Sequence, residues 1–345
     1  MSRWGVVLAG GTGTRFWPLS TPSRPKQLLA LIDSDPLIAN TVERFAPIVD
    51  MERILLLTSE SLVAPIRALL PALPSENVIA EPKPAGTAAA LTWAALEIKK
   101  RDAQDPVMLS VHADWAIGDA VGFRECLTRA TEAAVTHRAL VTVGVVPSRP
   151  DPGFGYIEPG EKLDGAARGV ARFIEKPGRA QAERLVAAGC LWNSGIFVWR
   201  VADFLDEVLR LTPEVAPAIT EHENDRVAFF AAVKSVSVDV GVLERSSRVV
   251  VLPGDFGWDD VGTWSALRRV RELDADGNAV SGPVYTIDST GNVVHAADGV
   301  DVVLYGVSDL VVVAQRNLTL VTSMERAADL KELLTHLPAS VRDRA

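Results

Sequence analysis

Between Leu8 and Ser20 the chain reads Leu-Ala-Gly-Gly-Thr-Gly-Thr-Arg-Phe-Trp-Pro-Leu-Ser, and Pro25-Lys26 follows. An apolar run ends at Ala9, and Gly10, Gly11 and Gly13 then let the backbone turn with its N–H groups aimed at an anion. Arg15 adds a planar cationic fork suited to phosphate oxygens. No Gly-Lys-Ser/Thr follows, so this is not a P-loop, and Phe16 stands where a dinucleotide fingerprint needs its third glycine. A tight strand-to-helix turn with an incidental Arg is the alternative. Far along the chain, Asp114 lies just past the apolar run Val107 to Val111, and Asp260 sits in an Asp-Val-Gly turn. Carboxylates from distant segments are what a hard cation such as magnesium requires, with waters and phosphate oxygens in its other positions. A turn or cap acid at Asp114 and a role for the neighbouring Asp259 are the competing assignments. Glu175-Lys176 precedes Pro177, which stops a strand, and a surface ion pair is its plainer explanation. His112 shares a face with Asp114 if the strand is extended, and no other His stands at zinc-ligand spacing from it.

The elements that must position these residues follow from apolar patterning. Buried strands are expected at Trp4 to Ala9, Ile54 to Thr58, Val78 to Ala80, Val107 to Val111 and Leu140 to Val146. Helices are expected at Leu37 to Phe45, Leu62 to Leu70, Ala88 to Lys100 and Phe123 to His137. This alternation predicts an α/β fold, a mixed, mostly parallel sheet flanked by helices, with ligands at the carboxyl edge of the strands. Shorter strands around Tyr156, Phe173 and Phe197 extend the same domain, giving a catalytic domain over 1–277. Past Asn278, β-branched runs separated by Gly, Asp or Asn predict a small β-rich domain over 278–345 that ends in a helix over Glu325 to Leu337 and offers a candidate homodimer surface.

Composition narrows the function. With 345 residues, 48% hydrophobic and 23% charged, the chain can bury a sizeable core. Its net charge of -9 argues against nucleic acid as a partner. No run of roughly 18 apolar residues and no signal-like start appear, so no membrane contact and a cytoplasmic location are expected. Cys126 and Cys190 lack a CxxC partner and are expected to be buried thiols. No Ser-His-Asp or Cys-His arrangement stands out.

The glycine segment with its Pro-Lys pair resembles the signature of the sugar-phosphate nucleotidyltransferase family. Further segments resemble its branch that guanylylates mannose 1-phosphate: Glu81-Pro82 leading to Gly86-Thr87-Ala88, His112-Ala113-Asp114, Phe173-Ile174-Glu175-Lys176-Pro177, Trp192-Asn193-Ser194-Gly195-Ile196-Phe197, Ser237-Val238-Asp239 leading to Gly241-Val242-Leu243-Glu244, and Gly257-Trp258-Asp259-Asp260-Val261-Gly262-Thr263-Trp264. These run colinearly from residue 8 to residue 264. Trp115 departs from the branch's usual second His, and Gly86 and Ala90 replace an Asn and a Pro of its base-binding loop. The resemblance implies a Rossmann-like nucleotidyltransferase fold with a β-helix-like C-terminal domain. It also implies attack of the mannose 1-phosphate oxygen on the α-phosphorus of GTP, giving GDP-mannose and pyrophosphate.

By the same resemblance Asp114 and Asp260 hold Mg2+, the latter because the family ligand stands two residues before a glycine, here Gly262. Arg15, Lys26 and Lys176 are the catalytic residues, Arg15 at the triphosphate tail and Lys176 at the phosphate of the sugar. Leu8, Gly10, Gly11, Gly13, Thr14, Glu81, Gly86, Thr87 and His112 line the nucleotide, and Gly155, Glu175, Lys176, Asn193 and Asp239 the sugar phosphate. Glu81, with two acceptor oxygens, complements the adjacent N1–H and 2-amino donors of guanine; a loop Glu facing water is the alternative. Another nucleotide, or another sugar such as glucose or heptose phosphate, would use the same chemistry. A non-catalytic homologue is disfavoured because Arg15, Lys26, Asp114, Lys176 and Asp260 are all present. A nicotinamide-dependent dehydrogenase does not explain the missing glycine. Some members of the branch carry an added isomerase module, and since nothing after Leu337 is long enough for one, a single activity is expected.

Overall fold

Runs such as Trp-Gly-Val-Val-Leu and Ile-Leu-Leu-Leu-Thr are apolar on both faces, which only a strand covered on both sides tolerates. The structure, a computed structural model, describes residues 1–11 and 14–342. Four such strands, β1 (Arg3–Leu8), β2 (Ile54–Ser59), β3 (Val78–Glu81) and β4 (Val107–His112), pair in parallel in the order β3-β2-β1-β4. Leu191–Arg200 then runs antiparallel between β4 and Leu140–Val145. Val249–Gly254 pairs in parallel with Leu140–Val145, and the antiparallel pair Arg168–Ile174 and Tyr156–Lys162 completes nine strands. The strand order reverses at β1, with β2 and β3 to one side and β4 to the other. The carboxyl ends of β1 and β4, at Leu8 and His112, therefore flank a switch point of the kind where ligands collect in α/β sheets.

The helix Gly86–Arg101 is buried along most of its length because it packs on the sheet with one face and under later helices with the other. Trp93 meets Phe229 at 5.3 Å between ring centroids, which seats the helix Arg226–Ala232 over it. Both cysteines are buried thiols, as expected. Among the described residues no helix is long and apolar enough to cross a membrane.

Packing divides the chain differently from the sequence boundary expected at 277/278. One compact unit comprises Met1–Gly10, Thr41–Ala113 and Asp119–Trp258; the other comprises Gly11–Asn40, Asp114–Gly118 and Asp259–Ala345. The second unit has its own core, in which Phe16, Trp17 and Leu29 pack with Val261, Trp264 and Leu267 and with Ala279, Val293 and Val311 from the β-rich strands. In it Ala279–Ser281, Val293–Ala296 and Leu310–Gln315 form parallel rungs, and Leu318–Ser323 returns antiparallel. A second parallel pair joins Val284–Ile287 to Val302–Tyr305. Buried Asn278 and Asn292 satisfy the turns between rungs, Asn292 Nδ2 donating to Asn278 Oδ1 at 2.9 Å and Asn292 Oδ1 accepting from the Leu310 N–H at 2.9 Å. The helix expected over Glu325 to Leu337 is broken: a 3-10 turn, Arg326–Ala328, precedes the helix Leu330–His336, with Asp329 between them leaving helical geometry.

Candidate functional site

In the first unit, β1 hands the chain to Gly10, and Leu8 lies in register with His112 on β4. Glu81 ends β3. Burial pushes its carboxyl up to about 7. Gly86 starts the next helix at φ +80, and a Cβ there would sit 2.3 Å from the Val236 carbonyl oxygen, so the position admits only glycine. The Thr87 hydroxyl accepts from the Val238 N–H at 2.9 Å. Gly86 and Thr87 thus anchor the segment that delivers Asp239.

Asp239 opens a single π-helical turn, Asp239–Leu243, a distortion often found at functional sites. Asn193 Nδ2 donates to its Oδ1 at 2.7 Å. Asn193 points there because the strand Leu191–Arg200 bulges: its register against Leu140–Val145 shifts between Val143 and Gly144, Gly195 takes φ +72, and Ser194 Oγ donates to the Val143 carbonyl at 2.6 Å. Gly155 completes the group, since a Cβ on it would stand 2.9 Å from Glu175 Oε2 and 3.5 Å from Asn193 Cβ. Burial raises the Asp239 carboxyl and Glu175 raises it further, while the Asn193 hydrogen bond and His112 pull the other way. Lys176 reaches Glu175 Oε1 at 2.5 Å and has φ +41, uncommon for a side-chain-bearing residue. The pair is exposed, 65% for Lys176 and 59% for Glu175.

In the second unit, Arg15 is exposed on a 3-10 turn, Thr14–Phe16, whose Phe16 is fully buried against Trp264 at 5.2 Å. Lys26 is 8% exposed, and its ammonium donates to the Asp260 carbonyl at 2.8 Å and the Val261 carbonyl at 3.1 Å while pairing with Asp114 Oδ2 at 2.9 Å. Val261 carries φ +47, a true outlier for a buried β-branched residue, costing about 1–3 kcal/mol. Asp259 holds that turn: its Oδ1 accepts from the Val261 N–H at 2.9 Å, and Arg269 donates to it through Nε at 2.7 Å and Nη2 at 3.1 Å. A Cβ at Gly262 would stand 2.9 Å from Asp260 Oδ2, so the Asp260 carboxylate occupies space that a side chain there would take. Asp114 and Asp260 offer only hard oxygens, the donor type of a divalent cation that shares its sphere with water and phosphate. Among the described residues no group of three or more His, Cys, Asp or Glu could hold a metal. Two carboxylates fit such a cation if water and substrate supply its remaining oxygens; an all-protein cage is not present among those residues.

Residues 4–277 match the Nucleotidyl transferase family, and residues 282–337 match the MannoseP isomerase/GMP-like beta-helix domain. A mannose-1-phosphate guanylyltransferase of Escherichia coli (strain K12) is 36% identical over 98% of this chain and 74% of its own length. One from Klebsiella pneumoniae is 34% identical over 98% of this chain and 74% of its own length. A mannose-1-phosphate geranyltransferase from Thermus thermophilus matches in structure with a TM-score of 0.89 at 34% identity, covering 97% of this chain and 99% of that one. The chain belongs to the nucleotidyl transferase family, among the mannose-1-phosphate guanylyltransferases.

The residues expected from sequence fall into two groups. Gly155, Glu175, Asn193 and Asp239 come together in the first unit, and Lys26, Asp114 and the Asp260 main chain in the second. One expectation changes, and two of the expected site residues have protein partners. Asp114 is not on an extended strand with His112, because β4 ends at His112 and Asp114 lies in a turn. Lys26 gives its ammonium hydrogens to three protein oxygens. Thr87 uses its hydroxyl on the backbone of Val238. Gly13 lies outside the described residues. Two further residues escaped sequence reading. Glu244, quoted in the Gly-Val-Leu-Glu segment but given no role there, is raised by burial and by repulsion from Asp239 and Glu175. Arg269 carried no sequence signal, since its partner is ten residues back and otherwise read as one of two interchangeable aspartates.

Proposed function

We propose that the protein transfers GMP from GTP to alpha-D-mannose 1-phosphate, forming GDP-mannose and pyrophosphate in the cytoplasm with Mg2+. The observation that carries this reading is the Gly155-Glu175-Asn193-Asp239 group: a glycine kept bare beside two carboxylates and an amide offers hydrogen-bonding groups to sugar hydroxyls. Both substrates are anions, so the reaction needs charge neutralised and phosphates aligned more than it needs a reacting side chain. Mg2+, held by Asp114 and Asp260, would supply charge neutralisation at the phosphates. Lys26 fixes Asp114 and leaves the phosphates to others. Arg15, exposed on its turn, grips the triphosphate tail with its planar fork, and the N–H groups after β1 receive phosphate oxygens. Lys176 takes the phosphate of the sugar, and Glu175, Asn193 and Asp239 orient its hydroxyls. Glu81 reads the two adjacent donors of guanine.

The test is magnesium-dependent pyrophosphate release from GTP, ATP, UTP and dTTP, each with mannose 1-phosphate and glucose 1-phosphate. GTP with mannose 1-phosphate is expected to give the highest kcat/KM. A clear preference for another pair moves the chain to that substrate class within the same reaction, and no release with any pair overturns the reading.

A further inference from the structure

The second unit contains a continuous chain of polar contacts that begins at Arg269, a residue without a sequence signal. Arg269 grips Asp259 with two nitrogens; Asp259 Oδ1 holds the Val261 N–H; the Asp260 and Val261 carbonyls converge on the Lys26 ammonium; and that ammonium holds Asp114. The link at Val261 is the strained one. A buried valine at positive φ persists only where its surroundings over-determine it, and the contacts that do so here are Asp259 on its N–H and Lys26 on its carbonyl. If the turn relaxed to ordinary geometry, the two carbonyls would no longer meet at one nitrogen. Lys26 would then lose its seat and Asp114 its partner, and Asp260, on the same turn, would be re-aimed.

We infer that Arg269, acting through Asp259, is a positioning residue that sets the Asp114 and Asp260 carboxylates in cation-binding geometry. This rests on the reading of those two aspartates as the cation site. Arg269 supplies the bidentate grip because Asp259 has to hold one orientation, and a single-point cation such as lysine would let the carboxylate rotate about one contact. Asp259 itself is 6% exposed and already occupied by the Val261 N–H and the guanidinium, so its task is to hold the backbone.

The experiment compares wild type with Arg269→Gln, Arg269→Lys and Asp260→Asn by Mn2+ binding in the presence of GTP, read by electron paramagnetic resonance. Alongside it, pyrophosphate release is titrated with Mg2+ and thermal melting is recorded. Arg269 is largely at the surface, 40% exposed, so the Gln variant is expected to fold. It should weaken Mn2+ binding about tenfold and raise the half-saturating Mg2+ by a similar factor, with most of kcat regained at high Mg2+. Arg269→Lys should recover only part of the binding. Unchanged Mn2+ affinity in Arg269→Gln, or a fall in kcat that no amount of Mg2+ restores, would overturn the proposal, whatever happens to the melting temperature. Failure of the underlying reading looks different: Asp260→Asn would then bind Mn2+ like wild type, and the proposal would fall with it.

Discussion

Two carboxylates of the unit built on the nine-stranded sheet, Glu81 and Asp239, and two of the unit that holds the β-rich strands, Asp114 and Asp259, are held in different surroundings. In the first, burial holds Glu81 and Asp239 above the usual carboxylate range, and among the described residues neither meets a Lys or Arg in an ion pair. In the second, Asp114 and Asp259 each have a cation within hydrogen-bond distance. A carboxylate held by a cation is fixed in place, which suits holding a metal ion and a turn. A partly buried one without a cation gains from a ligand that supplies donors, which suits recognition of a base or a sugar. The paired unit should therefore govern rate, and the unpaired unit should govern selectivity and its dependence on pH.

The comparison breaks most easily at Asp260. If the paired unit governs rate, Asp260→Asn should lower turnover about a thousandfold, with the melting temperature little changed. A loss of less than about tenfold at limiting magnesium would remove Asp260 from the cation site. A smaller effect is expected in the other unit from Gly155→Ala. The new Cβ, 2.9 Å from Glu175 Oε2, displaces a largely exposed side chain and asks little of the backbone. It should raise KM for mannose 1-phosphate about tenfold, roughly 1.4 kcal/mol, and leave KM for GTP alone. An equal rise for both substrates would show that Gly155 does not belong to the sugar side.

The two units also differ in how far they could be read from sequence. The parallel strands of the first announce themselves, because a strand covered on both faces is apolar throughout, and the ends of those strands place Gly10, Glu81 and His112 by length alone. Asn193 was legible as part of a motif, but the bulge that aims it at Asp239 depends on the register against a neighbouring strand, which a single run does not display. The second unit hides more. Its packing draws Phe16 and Trp17 onto strands some 300 positions away, roughly the whole chain, and apolar residues alone do not say which core they join. The acceptors of Lys26 include two main-chain carbonyls, which leave no mark on residue types and so cannot be read from the sequence. Asp259 and Asp260 are adjacent and identical, and only the strained turn between Asp259 and Gly262 shows which of them holds the backbone.

The smallest effect, and the one that sharpens the comparison, concerns Glu81. With its carboxyl at about 7, Glu81 is about half protonated near neutral pH in the empty protein. Guanine brings two donors, which favour the ionised form, so GTP binding should release a proton and strengthen as pH rises from about 6 to about 8. The stability sign is the opposite. A folded-state value raised above 4.5 means that the Glu81 contribution is fully present below about 4.5 and is lost as pH rises through about 7. Without ligand, wild type should therefore melt lower relative to Glu81→Gln as pH increases, and saturating GTP should reverse the order. For binding, Glu81→Gln should cost about 1–3 kcal/mol at about pH 8 and less at about pH 6, and it should narrow the gap between GTP and UTP. The triphosphate's own titration is common to both proteins and cancels in their ratio. Calorimetry in buffers of different ionisation enthalpy counts the proton directly. If wild type and Glu81→Gln show the same pH dependence of GTP affinity, the buried carboxylate is not the base reader, and its raised value reflects burial with no ligand to relieve it.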